Sequence, residues 1–310
     1  MLANKEKTFI SAVAYVHNNH LTIERFCNTL YSTLNKYFDN FEIIFVDDCS
    51  TDDGIEIIKK FTSKEKDSVI SIIKMSVFQG VELSMNAGVD LAIGDFVFEF
   101  DSVFVDYRPK EIIRIYRKTL EGYDIVSCSP SGKIRLTSSI FYFIFNTFSK
   151  AKYHLQTERF RVISRRAINR INSISKSIMY RKAAYANSGL SYTCIHYKPI
   201  SEIYSKESNT SRREKAISSL IMFTDIAYKI SIVLTVLFFV FAASTALYTI
   251  IIYMSEQKPI EGWTTIMFLV SGGLSGIFLI FAIMVKYLSI IVELILQKDK
   301  YLIESIEKLS

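Results

Sequence analysis

Along the first hundred residues, short apolar runs alternate with stretches whose apolar positions recur every three or four residues. TFISAVAYV (8–16), FEIIFVDD (41–48), VISIIKMS (69–76) and DFVFEFD (95–101) read as strands, and Thr22–Tyr37, Gly54–Phe61 and Val81–Ala92 as the helices between them. The strand runs are too continuously apolar for a sheet with one wet face. The pattern therefore predicts an α/β fold, a mainly parallel sheet covered by helices. Ligands of such sheets bind at the carboxyl ends of the strands, and polar residues gather there. His17 to Asn19 follow the first strand, Asp47, Asp48, Ser50, Asp52 and Asp53 the second, and Asp101 the fourth. Carboxylates on one sheet edge repel one another and call for a cation or a hydrogen-bonding ligand. Taken singly, Asp48 or Asp52 has the alternative role of capping the next helix.

The later pattern differs. The residues between Lys229 and Glu256 are uncharged, as are those from Gly262 to Val285, and each run is apolar and exceeds the roughly 20 apolar residues that span a bilayer. Two transmembrane helices are expected on this basis. Arg212, Arg213, Lys215 and Lys229 precede the first run and Lys286, Lys298 and Lys300 follow the second, which predicts both ends on the cytoplasmic side. Tyr253 and Trp263 flank the intervening loop as interfacial aromatics. Gly272, Gly273 and Gly276 would let another helix approach closely, in a homo-oligomer or against the first span. Residues 212–229 read as an interfacial amphipathic helix. Ile134–Lys150 is either a second one or a core helix. The predicted organisation is a cytoplasmic domain over 1–211, the interfacial helix over 212–229, a two-helix anchor over 230–287 and a cytoplasmic tail over 288–310.

Composition narrows the function classes. The chain has 310 residues, a formal charge of +6 and half its residues hydrophobic, and its mean hydropathy is +0.23. That mixture suits one large domain with a membrane appendage and a surface that meets anionic headgroups or phosphorylated ligands. No nucleic-acid-binding module is present. The four cysteines, Cys27, Cys49, Cys128 and Cys194, lack metal-site spacing. No GxGxxG turn, GxxxxGK loop or GxSxG elbow occurs, which sets aside the dinucleotide, P-loop and nucleophile-elbow classes.

IIFVDDCSTDDG (Ile43–Gly54) resembles the VDDxSxDG segment of inverting nucleotide-sugar glycosyltransferases of family 2, which have the GT-A fold. MNAGVDLAIGDFVFEFD (Met85–Asp101) is similar to the stretch that leads into that family's metal-binding DxD. ERFRVISRRAI (158–168), SKESNTSR (205–212) and YLSIIVELILQKDKYLI (287–303) look like motifs of the subgroup that glycosylates polyprenyl phosphate, which includes dolichyl-phosphate mannose synthase and undecaprenyl-phosphate glycosyltransferases. The resemblance implies transfer from a nucleotide sugar to undecaprenyl or dolichyl phosphate with inversion, at the cytoplasmic face of a bacterial inner membrane. It implies nucleoside contacts from Tyr15, His17, Asn18, Asp48, Ser50 and Asp52. Catalytic roles fall on Asp101, Glu158 and Arg161, and phosphate contacts on Arg161, Lys206, Ser211 and Arg212. Asp101 would hold a divalent cation, Mg2+ or Mn2+.

Three positions depart from the family pattern. Val103 stands where the second DxD carboxylate belongs, with Glu99 the nearby substitute, and Arg159 stands where an acceptor-side aspartate belongs. The first strand lacks the family's proline, having Ala14–Asn18 there. Valine cannot ligate a metal, and arginine stays protonated and is a poor base. The alternative reading is therefore a catalytically weakened relative that binds a nucleotide sugar or lipid carrier, or serves as a partner subunit.

Overall fold

The computed structural model describes residues 5–64, 69–132, 156–174, 181–200, 262–296 and 301–309, with scattered positions in 139–147 and 233–254. The four predicted strands form as β1 (Ile10–Val16), β2 (Phe41–Asp47), β3 (Val69–Met75) and β4 (Phe96–Phe100). Between them run α1 (His20–Tyr37), α2 (Gly54–Thr62) and α3 (Gly80–Leu91). Then follow α4 (Lys110–Thr119), β5 (Ile125–Pro130), β6 (Phe160–Ser164), α5 (Arg165–Ile174), α6 (Arg181–Asn187), β7 (Tyr192–Tyr197), α7 (Trp263–Leu296) and β8 (Ile303–Lys308).

The eight strands make one mixed sheet in the order β7-β5-β6-β4-β1-β2-β3-β8. Strands β1 to β4 pair in parallel around β1, whereas β6 runs antiparallel to both β4 and β5, and β8 antiparallel to β3. The central strands are buried on both faces. One apolar layer holds Ile10, Ala12, Phe26, Phe45, Phe98 and Phe100, and the other Val13, Ile44, Val46, Met85 and Val97. This alternation of layers within each strand explains the unbroken apolar runs. Helix α3 lies close on β1 and β2 because residue 88 is glycine, where a Cβ would run into Val13 and Val46.

Contact density divides the chain into a unit of residues 1–215 with 298–310 and a unit of residues 216–297. Residues 303–308, read from the sequence as tail, are thus a strand of the first unit.

The expectation of two transmembrane helices is overturned, and the integral-membrane localisation with it. Among the described residues no helix is long and apolar enough to cross a membrane. The first uncharged run and the interfacial helix of 212–229 lie outside the described residues, scattered positions of the run apart, as does most of 134–150. The second run falls inside α7, a 34-residue helix that continues past Val285 through Lys286 and Glu293. The expectation rested on the uncharged, apolar character of each run over more than about 20 residues. Ser271, Gly272, Gly273, Ser275 and Gly276 crowd the middle of the second run.

Candidate functional site

Two groups of side chains gather at the carboxyl edge of the parallel strands. The first is built from the ends of β1, β2 and β3. Asp48, fully buried, accepts hydrogen bonds from the Tyr15 hydroxyl at 2.9 Å and from the backbone N–H groups of Gln79 and Gly80, both at 2.8 Å. The last two open α3, so Asp48 satisfies donors that a helix start leaves without intrahelical partners. Asp52 does the same for two helices, accepting from the N–H of His20 at 2.8 Å and of Gly54 at 3.1 Å, and pairing with the His20 ring at 3.0 Å. Partial burial pushes the Asp52 carboxyl up, but these bonds from His20 and Gly54 outweigh it and its pKa is lowered.

The β1 and β2 loops are stitched together. The Asn18 amide oxygen accepts from the Thr51 N–H at 2.8 Å, the Asn18 N–H donates to the Ser50 hydroxyl at 3.2 Å, and the Ser50 N–H donates to Asp47 at 3.0 Å. His17 Nδ1 meets the Asp48 carbonyl at 2.7 Å. Asn18 and Cys49 take left-handed φ values of 53° and 56°, a conformation that a side chain makes costly and that concentrates at functional loops. Phe78, 62 % exposed, has its ring 4.8 Å from that of His17. The five predicted nucleoside contacts Tyr15, His17, Asn18, Asp48 and Ser50 therefore share one hydrogen-bonded surface, with Asp52 behind it at the starts of α1 and α2.

The second group surrounds Asp101, just past β4. Antiparallel pairing sets Arg161 of β6 opposite Glu99 of β4. The Arg161 guanidinium, fully buried, donates to Glu99 at 2.7 Å, to Asp101 at 2.6 Å and to Glu158 at 3.0 Å. Arg181, also buried, pairs with the other oxygen of Asp101 and lies 3.4 Å from Glu82. One helical turn on, the Tyr185 hydroxyl donates to Glu99 at 2.6 Å, while Tyr192 donates to Glu158 at 3.0 Å. Burial would raise the Asp101 carboxyl, but the Arg161 and Arg181 charges, with Lys182, hold it well below the usual carboxylate range. Within this group the Arg181 Nη1 is buried without a hydrogen-bond partner among the described residues.

Arg159 belongs to a separate pair. Its guanidinium grips both oxygens of Asp106, one at 2.5 Å, and Tyr197 donates to the same carboxylate at 2.7 Å. The predicted catalytic residues Asp101, Glu158 and Arg161 are thus brought together, with both oxygens of Glu158 engaged. Lys206, Ser211 and Arg212 lie outside the described residues. Arg181 and Tyr185 were not foreseen from the sequence; their only local signal is the i, i+4 spacing of a cation and a hydroxyl in RKAAYAN.

Whether these residues suit a divalent cation is a matter of charge and geometry. Glu82, Glu99, Asp101 and Glu158 outnumber the two guanidiniums, so the group carries an excess of negative charge. Asp101 is its most exposed side chain at 20 %, against 0 % for Glu99 and 4 % for Glu158. Each Asp101 oxygen already pairs with a guanidinium, one with Arg161 and the other with Arg181, so a cation held through Asp101 would share that carboxylate with them and take its other oxygens from a ligand. The group does not suit a two-carboxylate chelate: Val103 is fully buried, Glu99 is taken by Arg161 and Tyr185, and no cluster of three or more metal-ligating side chains occurs among the described residues.

Comparison with known proteins bears on the fold and the family. The mannosyltransferase PcManGT of Pyrobaculum calidifontis, solved with GDP-Man and Mn2+, matches with a TM-score of 0.51 at 14% identity, over 88% of each chain. Glucosyl-3-phosphoglycerate synthase of Mycobacterium tuberculosis, solved with Mn2+, UDP and phosphoglyceric acid, matches with a TM-score of 0.52 at 15% identity, over 69% of this chain and 78% of its own. Both share the fold. By sequence, the uncharacterized glycosyltransferase YkcC of Bacillus subtilis is 24% identical over 60% of this chain and 59% of its own length. The undecaprenyl-phosphate 4-deoxy-4-formamido-L-arabinose transferase of Aeromonas hydrophila is 25% identical over 40% and 37%. The chain spans about three-fifths of the length of the first of these relatives and less of the second. Residues 11–186, which hold both groups of side chains at the sheet edge except Tyr192, match the model of Glycosyl transferase family 2, and the chain belongs to that family.

Proposed function

We propose that this protein transfers a sugar from a nucleotide-sugar donor to a polyprenyl phosphate, with inversion at the anomeric carbon. The observation that carries the reading is Asp101, part-exposed at the end of β4 and fixed by Arg161 and Arg181 beside the Asp48 surface of the same sheet edge. The donor's nucleoside lies against Tyr15, His17, Asn18 and Ser50, with Asp48 and Asp52 holding the loops. Its diphosphate points toward Asp101. A divalent cation held there, Mg2+ or Mn2+, would offset the charge that builds on the departing diphosphate.

An acceptor phosphate oxygen attacks the anomeric carbon in line. The new carbon–oxygen bond forms as the bond to the nucleoside diphosphate breaks, and the electron pair leaves with the diphosphate. The acceptor phosphate is already anionic at neutral pH, so the reaction needs no proton removed. Among the described residues, the carboxylate beside Asp101 that could act as a base, Glu158, is engaged by Arg161 and Tyr192. Arg161 keeps Asp101 ionised and aimed, and Lys206, Ser211 and Arg212 are assigned to the lipid phosphate. The name of the Aeromonas hydrophila relative, an undecaprenyl-phosphate transferase, supports the choice of acceptor.

The test is turnover in vesicles containing polyprenyl phosphate, with a panel of UDP- and GDP-sugars and with or without Mg2+ or Mn2+. Lipid-linked sugar that vanishes in Asp101→Ala is the expected result. Donor binding with no product across the panel would mark a binding protein instead.

A further inference from the structure

The strand that closes the sheet comes from the far end of the chain. β8 pairs with β3, and the residue before it, Leu302, makes three kinds of bond to the loop that follows β3. The Leu302 N–H donates to the Gln79 side-chain oxygen at 2.9 Å, and the Gln79 side-chain NH2 donates back to the Leu302 carbonyl at 2.7 Å. The Ser76 N–H donates to the same carbonyl at 3.1 Å. Tyr301 reaches α3, its hydroxyl donating to Asp90 at 3.0 Å. On the outer side, Lys59 and Lys74 pair with Glu307 at 2.9 and 2.8 Å.

The loop so held is the one that grips Asp48. Gln79 bonds in both directions: its backbone N–H goes to Asp48 and its side chain to Leu302. Gly80, the next donor to Asp48, has φ 80°, a conformation that glycine adopts freely and that leaves the loop with little preference of its own. Phe78, beside His17, belongs to the same turn. A reciprocal amide-to-backbone pair across 223 residues of chain fixes that turn where local sequence does not.

Resting on the reading of the Asp48 surface as the nucleoside site, we infer that residues 301–308 are part of the donor site, and that Gln79 is a positioning residue that transmits the hold of Leu302 to Asp48 and Phe78. Leu302 and Gln79 act on the donor's nucleoside end and not on the acceptor.

Gln79→Ala removes both side-chain bonds to Leu302 and leaves the Gln79 N–H to Asp48 intact. Donor affinity is read by titrating UDP and GDP, and turnover by steady-state kinetics. The expected result is a roughly tenfold weaker affinity and higher donor KM, with a much smaller change in kcat and an unaltered acceptor KM. Hydrogen exchange at the Gln79 and Gly80 amides should quicken by a similar factor. Leu302→Pro, which deletes the other N–H of the pair, should reproduce the donor effect. An unchanged donor affinity in both variants, in a protein that binds UDP or GDP normally, would overturn this inference alone. A lower melting temperature with unchanged donor KM would also overturn it, since a merely structural role gives that outcome. Wild-type protein that binds neither nucleotide would overturn the nucleoside-site reading and this inference together.

Discussion

Asp48 and Asp101 sit at the ends of strands of one sheet edge, yet they are held by opposite means. Asp48 is surrounded by neutral donors, two backbone N–H groups and a tyrosine hydroxyl, each of which belongs to a loop or a helix start. Asp101 is gripped by two buried guanidiniums that are themselves shared with Glu99, Glu158 and Glu82. The first arrangement sets the shape of loops, and its effect is local. The second is an ionic network in which each charge depends on the others, because a buried charge left without its partner costs far more than the pair contributed.

That difference ranks the expected effects of substitution. Arg161→Met should be the most damaging, destabilising the protein by about 3–5 kcal/mol, since it strands Glu99 and Glu158 in the interior; urea unfolding would read it. A loss below about 1 kcal/mol would mean that the network is open to water. Asp48→Asn should cost less, about 1–3 kcal/mol, because the amide keeps one acceptor oxygen and sets its NH2 against a backbone N–H. The same unfolding curves, together with nucleotide titration, would separate its stability loss from its binding loss.

The two sites should also differ in acid. Asp101 has a folded pKa below its ordinary value of 3.8. Its contribution to stability is therefore complete above about pH 4 and is lost as pH falls below it toward the folded pKa. The stability gap between wild type and Asp101→Asn should narrow by about 1 kcal/mol between pH 5 and pH 3, measured by urea unfolding across that range. A gap that widens would reverse the assigned sign. The smallest expected effect belongs to the loop: Cys49→Gly relieves the left-handed φ of 56° and should raise stability by about 0.5 kcal/mol, visible as a small rise in melting temperature.

The two sites also differed in how far the sequence revealed them. Around Asp48 the neighbours are close in sequence to the strand ends, and the alternating apolar pattern of residues 8–101 placed those ends within a residue or two. Around Asp101 the partners arrive from β6 and α6, 60 and 80 residues away. Arg161 was legible only because ERFRVISRRAI resembled a family motif, and Arg181 had no more than its i, i+4 spacing to Tyr185 to mark it. The C-terminal strand was missed for a related reason. IESIEK is too polar to announce burial, and its stability comes from pairing with β3 and from Glu307 between two lysines. The transmembrane expectation, drawn from two long apolar runs, failed in the opposite direction: among the described residues no helix is long and apolar enough to cross a membrane.

The most direct test of the central claim is lipid-linked sugar formation by the purified protein in vesicles of polyprenyl phosphate, compared with Asp101→Ala under the same nucleotide-sugar panel. The account predicts product from at least one donor and a loss of about a hundredfold or more in the variant, with nucleotide affinity largely kept. Product that persists undiminished in Asp101→Ala, or donor binding that never yields product, would contradict it.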